Sequence, residues 1–139
     1  MKRNTFDFFF PLRVRYSEID AQGVVFNAHY LTYFDTALTE YLRFLDYDYM
    51  GTVKSKGIDF HLVKSTIEYL ATVCFDDLIE IGVRAKQIGN TSITWELGIF
   101  REKSDRCLTR GEIIWVCARP GGNCSCPLPP DLVEQLSRI

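Results

Sequence analysis

Apolar residues recur along most of this chain with a period of two, and only once does that rhythm yield to a long helical one. Tyr30, Phe34, Ala37, Leu38, Tyr41 and Leu45 follow helical spacing and make one stripe, while His29, Thr32, Thr36, Thr39 and Arg43 fall on another face. A chain with one long helix and strand-like segments on either side buries that helix against a sheet. About 18 residues at ~1.5 Å rise make a helix near 27 Å long. Asn27 stands where an N-cap belongs, just ahead of the stripe. Tyr33, Leu42 and Phe44 lie off the stripe, so the helix is expected to meet protein on more than one side.

The flanking segments read as strands. Phe6, Phe8, Phe10, Leu12, Val14 and Tyr16 alternate with Asp7, Phe9, Pro11, Arg13 and Arg15, and Pro11 assigns the strand to a sheet edge or to its own start. Ser17 to Gly23 is a polar loop ending in the residue most tolerant of unusual backbone angles. Past the helix, Gly51 to Gly57 reads as a connecting segment. Strands are expected over His61 to Leu70, with Val63, Ile67 and Tyr69 on one face, over Leu78 to Ile88, over Ser92 to Arg101 and over Cys107 to Ala118. Gly89-Asn90 makes a tight turn, and Pro120-Gly121-Gly122 closes the last strand. The prolines from Pro127 onward suit a helix start, followed by Leu132, Val133, Leu136 and Ile139 at helical spacing. The short links favour antiparallel pairing, because a parallel crossover needs a dozen or more residues. The expectation is an α+β fold, a single domain over residues 1–139 with five antiparallel strands around one long helix.

Composition narrows the function. The 139 residues carry 16 basic and 18 acidic side chains, a net charge of -2, without the concentrated basic block that nucleic acid would require. Ten Phe, seven Tyr and two Trp can anchor a core, which argues against disorder. Asp7 and Pro11 interrupt the early apolar stretch and no run is long enough to span a bilayer. The five cysteines contain no C-x-x-C pair; Cys124 and Cys126 form a C-x-C with Cys117 upstream, and reduced thiols in a cytoplasmic protein are expected. A zinc site would lack a fourth ligand near them, so no metal is expected.

Familiar nucleophile and phosphate-loop signatures are absent. His61 reads as a structural histidine at a strand start, and the cationic form of His29 would be opposed by the helix dipole. The informative segment is Tyr16-Ser17-Glu18-Ile19-Asp20-Ala21-Gln22-Gly23-Val24-Val25-Phe26-Asn27. It brings the Asp20 carboxylate to a bend close to a helix start, where free N–H groups form an electropositive niche. Such a niche can polarise a carbonyl while the carboxylate attacks it or activates water. Equally, Asp20 or Glu18 could simply cap or solvate the loop.

Asp-x-x-Gly-Val-Val-Phe-Asn-x-x-Tyr from Asp20 to Tyr30 resembles the signature of the 4-hydroxybenzoyl-CoA thioesterase family of hotdog-fold acyl-CoA thioesterases. Tyr33-Phe34-Asp35, Thr39-Glu40-Tyr41-Leu42-Arg43, Glu68-Tyr69-Leu70-Ala71, Phe75-Asp76-Asp77, Gly89-Asn90-Thr91-Ser92 and Gly111-Glu112 extend the likeness over about Leu12 to Ala118. The resemblance implies a hotdog fold and an enzyme that hydrolyses a fatty-acyl- or aryl-CoA without a cofactor. Asp20 becomes nucleophile or general base, and the backbone N–H of Asn27 polarises the thioester carbonyl. Related bacterial enzymes often carry histidine at the Asn27 position, so a side-chain role borrowed from them does not transfer, whereas the backbone donor does.

The same likeness implies acyl-CoA bound in a groove between two subunits, with a homodimer as the minimum and a homotetramer expected. Thr91 and Ser92 are candidates to face pantetheine or nucleotide, and Lys64, Arg84, Lys86 and Arg101 to meet phosphates. Tyr30, Phe34 and Trp95 are candidates for an acyl or aryl pocket. Two other functions stand beside this one: hydrolysis of acyl groups from acyl carrier protein, and a non-catalytic acyl-CoA-binding regulatory module in which Asp20 is idle. A hotdog dehydratase is disfavoured, because its catalytic histidine is missing from the motif.

Overall fold

The computed structural model describes residues 1–121 and 124–139, so Gly122 of the expected closing turn lies outside the described residues. The elements in order are β1 (Phe8–Arg13), α1 (His29–Phe44), α2 (Tyr49–Lys56), β2 (Asp59–Tyr69), β3 (Leu78–Ile88), β4 (Ser92–Arg101), β5 (Cys107–Ala118) and α3 (Pro130–Leu136). All strand pairs are antiparallel, and the five-stranded sheet runs β1-β3-β4-β5-β2, with β1 and β2 at the edges. Pro11 therefore occupies an edge strand, where its missing N–H disrupts no ladder.

The sheet curls around α1, whose Tyr30, Tyr33, Phe34, Ala37, Leu38, Tyr41 and Leu42 are buried. Opposite them, Ile93, Trp95, Leu97 and Ile99 of β4 and Ile79, Ile81 and Val83 of β3 are fully enclosed, which the period of two requires of central strands covered by a helix. Gly111 lets the two layers close: a Cβ there would overlap the Phe34 ring. Tyr33 and Leu42, off the main stripe, are buried as well, while Phe44 is exposed.

Several local expectations change. Residues 49–56 form α2 rather than a plain connection. The Asp48 side chain accepts the Gly51 N–H and caps the helix, but its apolar residues make no clear stripe that periodicity could reveal. The N-cap of α1 is Ala28, not Asn27, and it makes no side-chain cap bond. In β2 the register slips between Leu62 and Lys64, a bulge that takes Val63 out of phase with Ile67 and Tyr69. His61 lies within β2 and is exposed on this edge strand. Phe6 precedes β1 and packs edge-on against Phe9 and Phe100, not beside Phe8. Its ring occupies the space where a Gly82 side chain would project.

Candidate active site

Asp20 is held by a compact hairpin. Gly23 N–H donates to the Asp20 carbonyl at 3.0 Å, and Asp20 N–H donates to the Val24 carbonyl at 2.9 Å. Gly23 turns the chain back at φ 78°, the left-handed conformation that closes a three-residue loop and that a side chain would resist. The outgoing arm is stitched down, with Val25 N–H donating to the Val73 carbonyl at 2.8 Å and Phe26 N–H to the Glu18 carbonyl at 2.9 Å. Gln22 N–H donates to Asp20 Oδ1 at 2.8 Å, while Oδ2 has no hydrogen-bond partner among the described residues.

The chain then enters α1. His29 N–H is taken by the Phe26 carbonyl at 3.0 Å, but the N–H groups of Asn27 and Ala28 meet no acceptor among the described residues. Tyr69 from β2 donates its hydroxyl to the Asn27 carbonyl at 3.1 Å, and its ring stands edge-on to Tyr30 at 5.0 Å between centroids. Asp20, Asn27, Tyr30 and Tyr69 line one open cavity of about 360 Å³, together with Leu70, Ala71 and Thr72. Burial pushes the Tyr30 phenol above its ordinary value, so it stays protonated at neutral pH and can serve only as a neutral wall or hydrogen-bonding group. Asp20, with a free carboxylate oxygen, and Asn27, with an unpaired amide at a helix start, thus line one small space, an arrangement suited to attack on a polarised carbonyl.

Other expected site residues lie elsewhere. Phe34 and Trp95 are fully buried and form core, not cavity wall. Lys64 sits on β2 opposite Ile114, and Ser92 opens β4 opposite Val116, whereas Tyr69 pairs with Thr109. Seven residues along β5 separate the Ser92 and Tyr69 registers, roughly 23 Å at ~3.3 Å per residue, so Thr91 and Ser92 cannot reach Asp20 in the same protomer. Arg84 is ion-paired with Glu96, Lys86 with Glu112 at 2.6 Å and Arg101 with Asp77 at 3.0 Å. Of the four basic candidates for phosphate, Lys64 alone has no carboxylate partner among the described residues.

Tyr69 and the Leu70–Thr72 wall went unassigned by sequence reasoning, which read Tyr69 as one apolar strand position among several. Its only signal was an aromatic at the end of a strand beside Glu68-Tyr69-Leu70-Ala71. A second depression of about 400 Å³ lies toward the other end of α1, between Leu42, Tyr47, Tyr49, Phe60, Leu62 and Trp115.

The sequence profile of the thioesterase superfamily matches residues 22–108, beginning two positions after Asp20. The chain belongs to that superfamily and is a thioester hydrolase. It is 30% identical over 135 residues to the acyl-CoA thioester hydrolase YbgC of Escherichia coli O6:H1, covering 97% of this chain and 99% of that one. The acyl-CoA thioesterase YbgC of Haemophilus influenzae is 33% identical over 94 residues, 68% of this chain and 69% of the relative. Among solved structures, the PA5185 protein of Pseudomonas aeruginosa superposes with a TM-score of 0.86 at 28% identity, covering 99% of this chain and 94% of that one. A mutant 4-hydroxybenzoyl CoA thioesterase, complexed with 4-hydroxybenzoyl CoA, shares the fold at a TM-score of 0.85 and 20% identity, covering 93% and 97%. The hotdog α+β architecture is therefore established. Among the described residues no helix is long and apolar enough to cross a membrane.

Proposed function

We propose that this protein hydrolyses acyl-CoA thioesters, with Asp20 as the attacking or water-activating carboxylate and the Asn27 backbone N–H as the carbonyl donor. The observation that carries this reading is that Asp20, with an unpaired Oδ2, and Asn27, with an unpaired backbone N–H at the α1 start, line the same cavity. In the water route, Asp20 takes a proton as the water oxygen adds to the thioester carbon. The oxyanion accepts from Asn27 N–H, a donor worth roughly 3 kcal/mol in comparable acyl transfers. The carbon–sulfur bond then breaks and CoA thiolate leaves. A thiolate departs without much acid assistance, so no imidazole is required at the Asn27 position.

An incomplete pocket agrees with a paired enzyme. β2 is an open sheet edge carrying exposed Leu62, Val63 and Tyr69, with Leu70 immediately after it. A long apolar edge of this kind invites strand pairing. Two-fold pairing of β2 edges reverses the partner's direction, so its Leu62 and Lys64 end comes alongside the Tyr69 end of this protomer. The partner's aromatic depression around Leu62 would then receive the acyl or aryl group, and its Lys64 would stand near the phosphates. We place this assembly, a dimer or a tetramer built from dimers, in the cytoplasm.

The test is thiol release from a panel of short, long and aryl acyl-CoAs, with acyl carrier protein thioesters alongside. Release that falls by about two to four orders of magnitude in Asp20→Ala supports the assignment. Near-normal hydrolysis by folded Asp20→Ala overturns it, and tight binding without release selects the regulatory module instead. Faster turnover of acyl carrier protein thioesters than of any acyl-CoA would reassign the substrate.

A further inference from the structure

Three cysteines gather at the end of β5, in a part of the fold that contributes nothing to the Asp20 cavity. Past Ala118 the chain returns alongside β5, and Ala118 opposes Ser125 in an antiparallel bridge. Cys126 N–H donates to the Cys117 carbonyl at 2.9 Å, and Arg119 N–H donates to the Cys124 carbonyl at 3.2 Å. Cys117 and Cys126 thus stand directly across from each other. Both are buried, and their sulfur atoms are 3.3 Å apart as free thiols. Opposed residues of an antiparallel pair have Cα atoms about 4.5–5.5 Å apart, inside the span that a disulfide bridges. Side-chain rotation alone can join them.

Cys124 completes the arrangement. It lies two positions before Cys126 in the same extended run, which directs both side chains to one face, yet it is exposed to solvent. We propose that these residues form a thiol–disulfide exchange site: Cys124 accepts a small-molecule disulfide such as oxidised glutathione, and the bond is stored between Cys117 and Cys126.

Cys124 thiolate attacks one sulfur of the reagent, forming a mixed disulfide and expelling one small thiolate. Cys126 then attacks the Cys124 sulfur, expelling the second small thiolate and joining Cys124 to Cys126. Cys117 finally attacks the Cys126 sulfur, and Cys124 leaves as a thiolate. Protons lost by the attacking thiols are taken up by the leaving thiolates. The sum is two protein thiols oxidised and one small disulfide reduced to two thiols. Burial, reinforced by the neighbouring Cys126 thiol, raises the Cys117 pKa to about 12, which is why exchange starts at the exposed residue. The stored bond fastens the segment that leads through Leu128, whose N–H donates to the Asn90 carbonyl at 2.8 Å, into α3.

The folded protein is incubated with oxidised glutathione, quenched with an alkylating reagent, digested and read by mass spectrometry. The expected product links Cys117 to Cys126 and leaves Cys74, Cys107 and Cys124 alkylated. Closing a loop of about ten residues should raise Tm by roughly 8 °C, reversibly with dithiothreitol. Cys126→Ala and Cys117→Ala each abolish the Tm rise, either one sufficing if the other folds poorly. Cys124→Ser slows bond formation about tenfold without changing its end point. Five alkylated cysteines after oxidation, a bond ending at Cys124, or an unchanged rate in Cys124→Ser would each overturn the proposal.

Discussion

β4 and the mouth of α1 lie on opposite sides of the same core and differ in what they leave unmet. In β4 the side chains of Ile93, Trp95, Leu97 and Ile99 have no exposed surface, and the backbone is paired on both sides by β3 and β5. At the mouth, Asp20 Oδ2 and the Asn27 amide have no protein partners among the described residues, and both residues line a cavity. In β4 the one unpaired side-chain donor among the described residues, Trp95 Nε1, is sealed in the core. At the mouth the unpaired groups belong to residues that line a cavity, which costs stability and suits the proposed site to a ligand.

The sharpest way to test this division is a pair of substitutions that should fail in opposite ways. Asp20→Asn is expected to lower kcat by about 10²–10⁴-fold. Its stability in denaturant titration should stay within roughly 0.5 kcal/mol of the parent. Trp95→Ala removes the ring that stands edge-on to Tyr41 and Trp115. It should cost about 3–5 kcal/mol of stability in the same titration, with per-site activity preserved in the fraction that stays folded. If Asp20→Asn unfolds the protein or Trp95→Ala spares it, the two regions are not separable.

Smaller effects refine the contrast. Burial, aided by the Asp7 charge, raises the Tyr41 phenol to about 12 from 10.0. Its neutral form is favoured in the folded chain, so the stabilisation is complete below pH 10 and is lost as pH climbs through about 12. Denaturant midpoints should therefore decline between about pH 10 and 12, and Tyr41→Phe should make that decline shallower, the raised phenols of Tyr30, Tyr33, Tyr47 and Tyr49 keeping the rest. Gly111→Ala presses a methyl group into Phe34 and should cost about 1–3 kcal/mol by thermal unfolding. Tyr69→Phe keeps the ring against Tyr30 but releases the Asn27 carbonyl. A loss of about 1 kcal/mol in orienting the α1 mouth would reduce kcat roughly fivefold with KM little changed.

How much of this was legible beforehand depended on the range of the interaction. The order of β1, α1, β2 to β5 and α3 followed from periodicity, and so did the buried set on β4, because every second residue of a covered strand must face the core. The Asp20–Gly23 bend could be read because its turn, its glycine and the coming helix lie within a few residues of one another. α2 escaped because a short helix held by its Asp48 cap needs little amphipathic pattern. Phe34 and Trp95 looked equally fit for core or pocket, and only packing decided for core. The basic residues looked free for phosphate until cross-strand and loop neighbours supplied carboxylates to Arg84, Lys86 and Arg101.

By itself, then, the amino-acid order determined the kinds of element, their succession and the bend at Asp20, all of which arise from forces acting over a turn or a strand pair. The tertiary structure alone decided that Tyr69 would meet Asn27 across 42 positions and that Cys117 would face Cys126. It also decided that Asp20 and Asn27 would line one cavity. Contacts of that kind depend on how the sheet curls and which edge comes to rest beside the helix, and the periodicity of one segment carries no record of its neighbour in space.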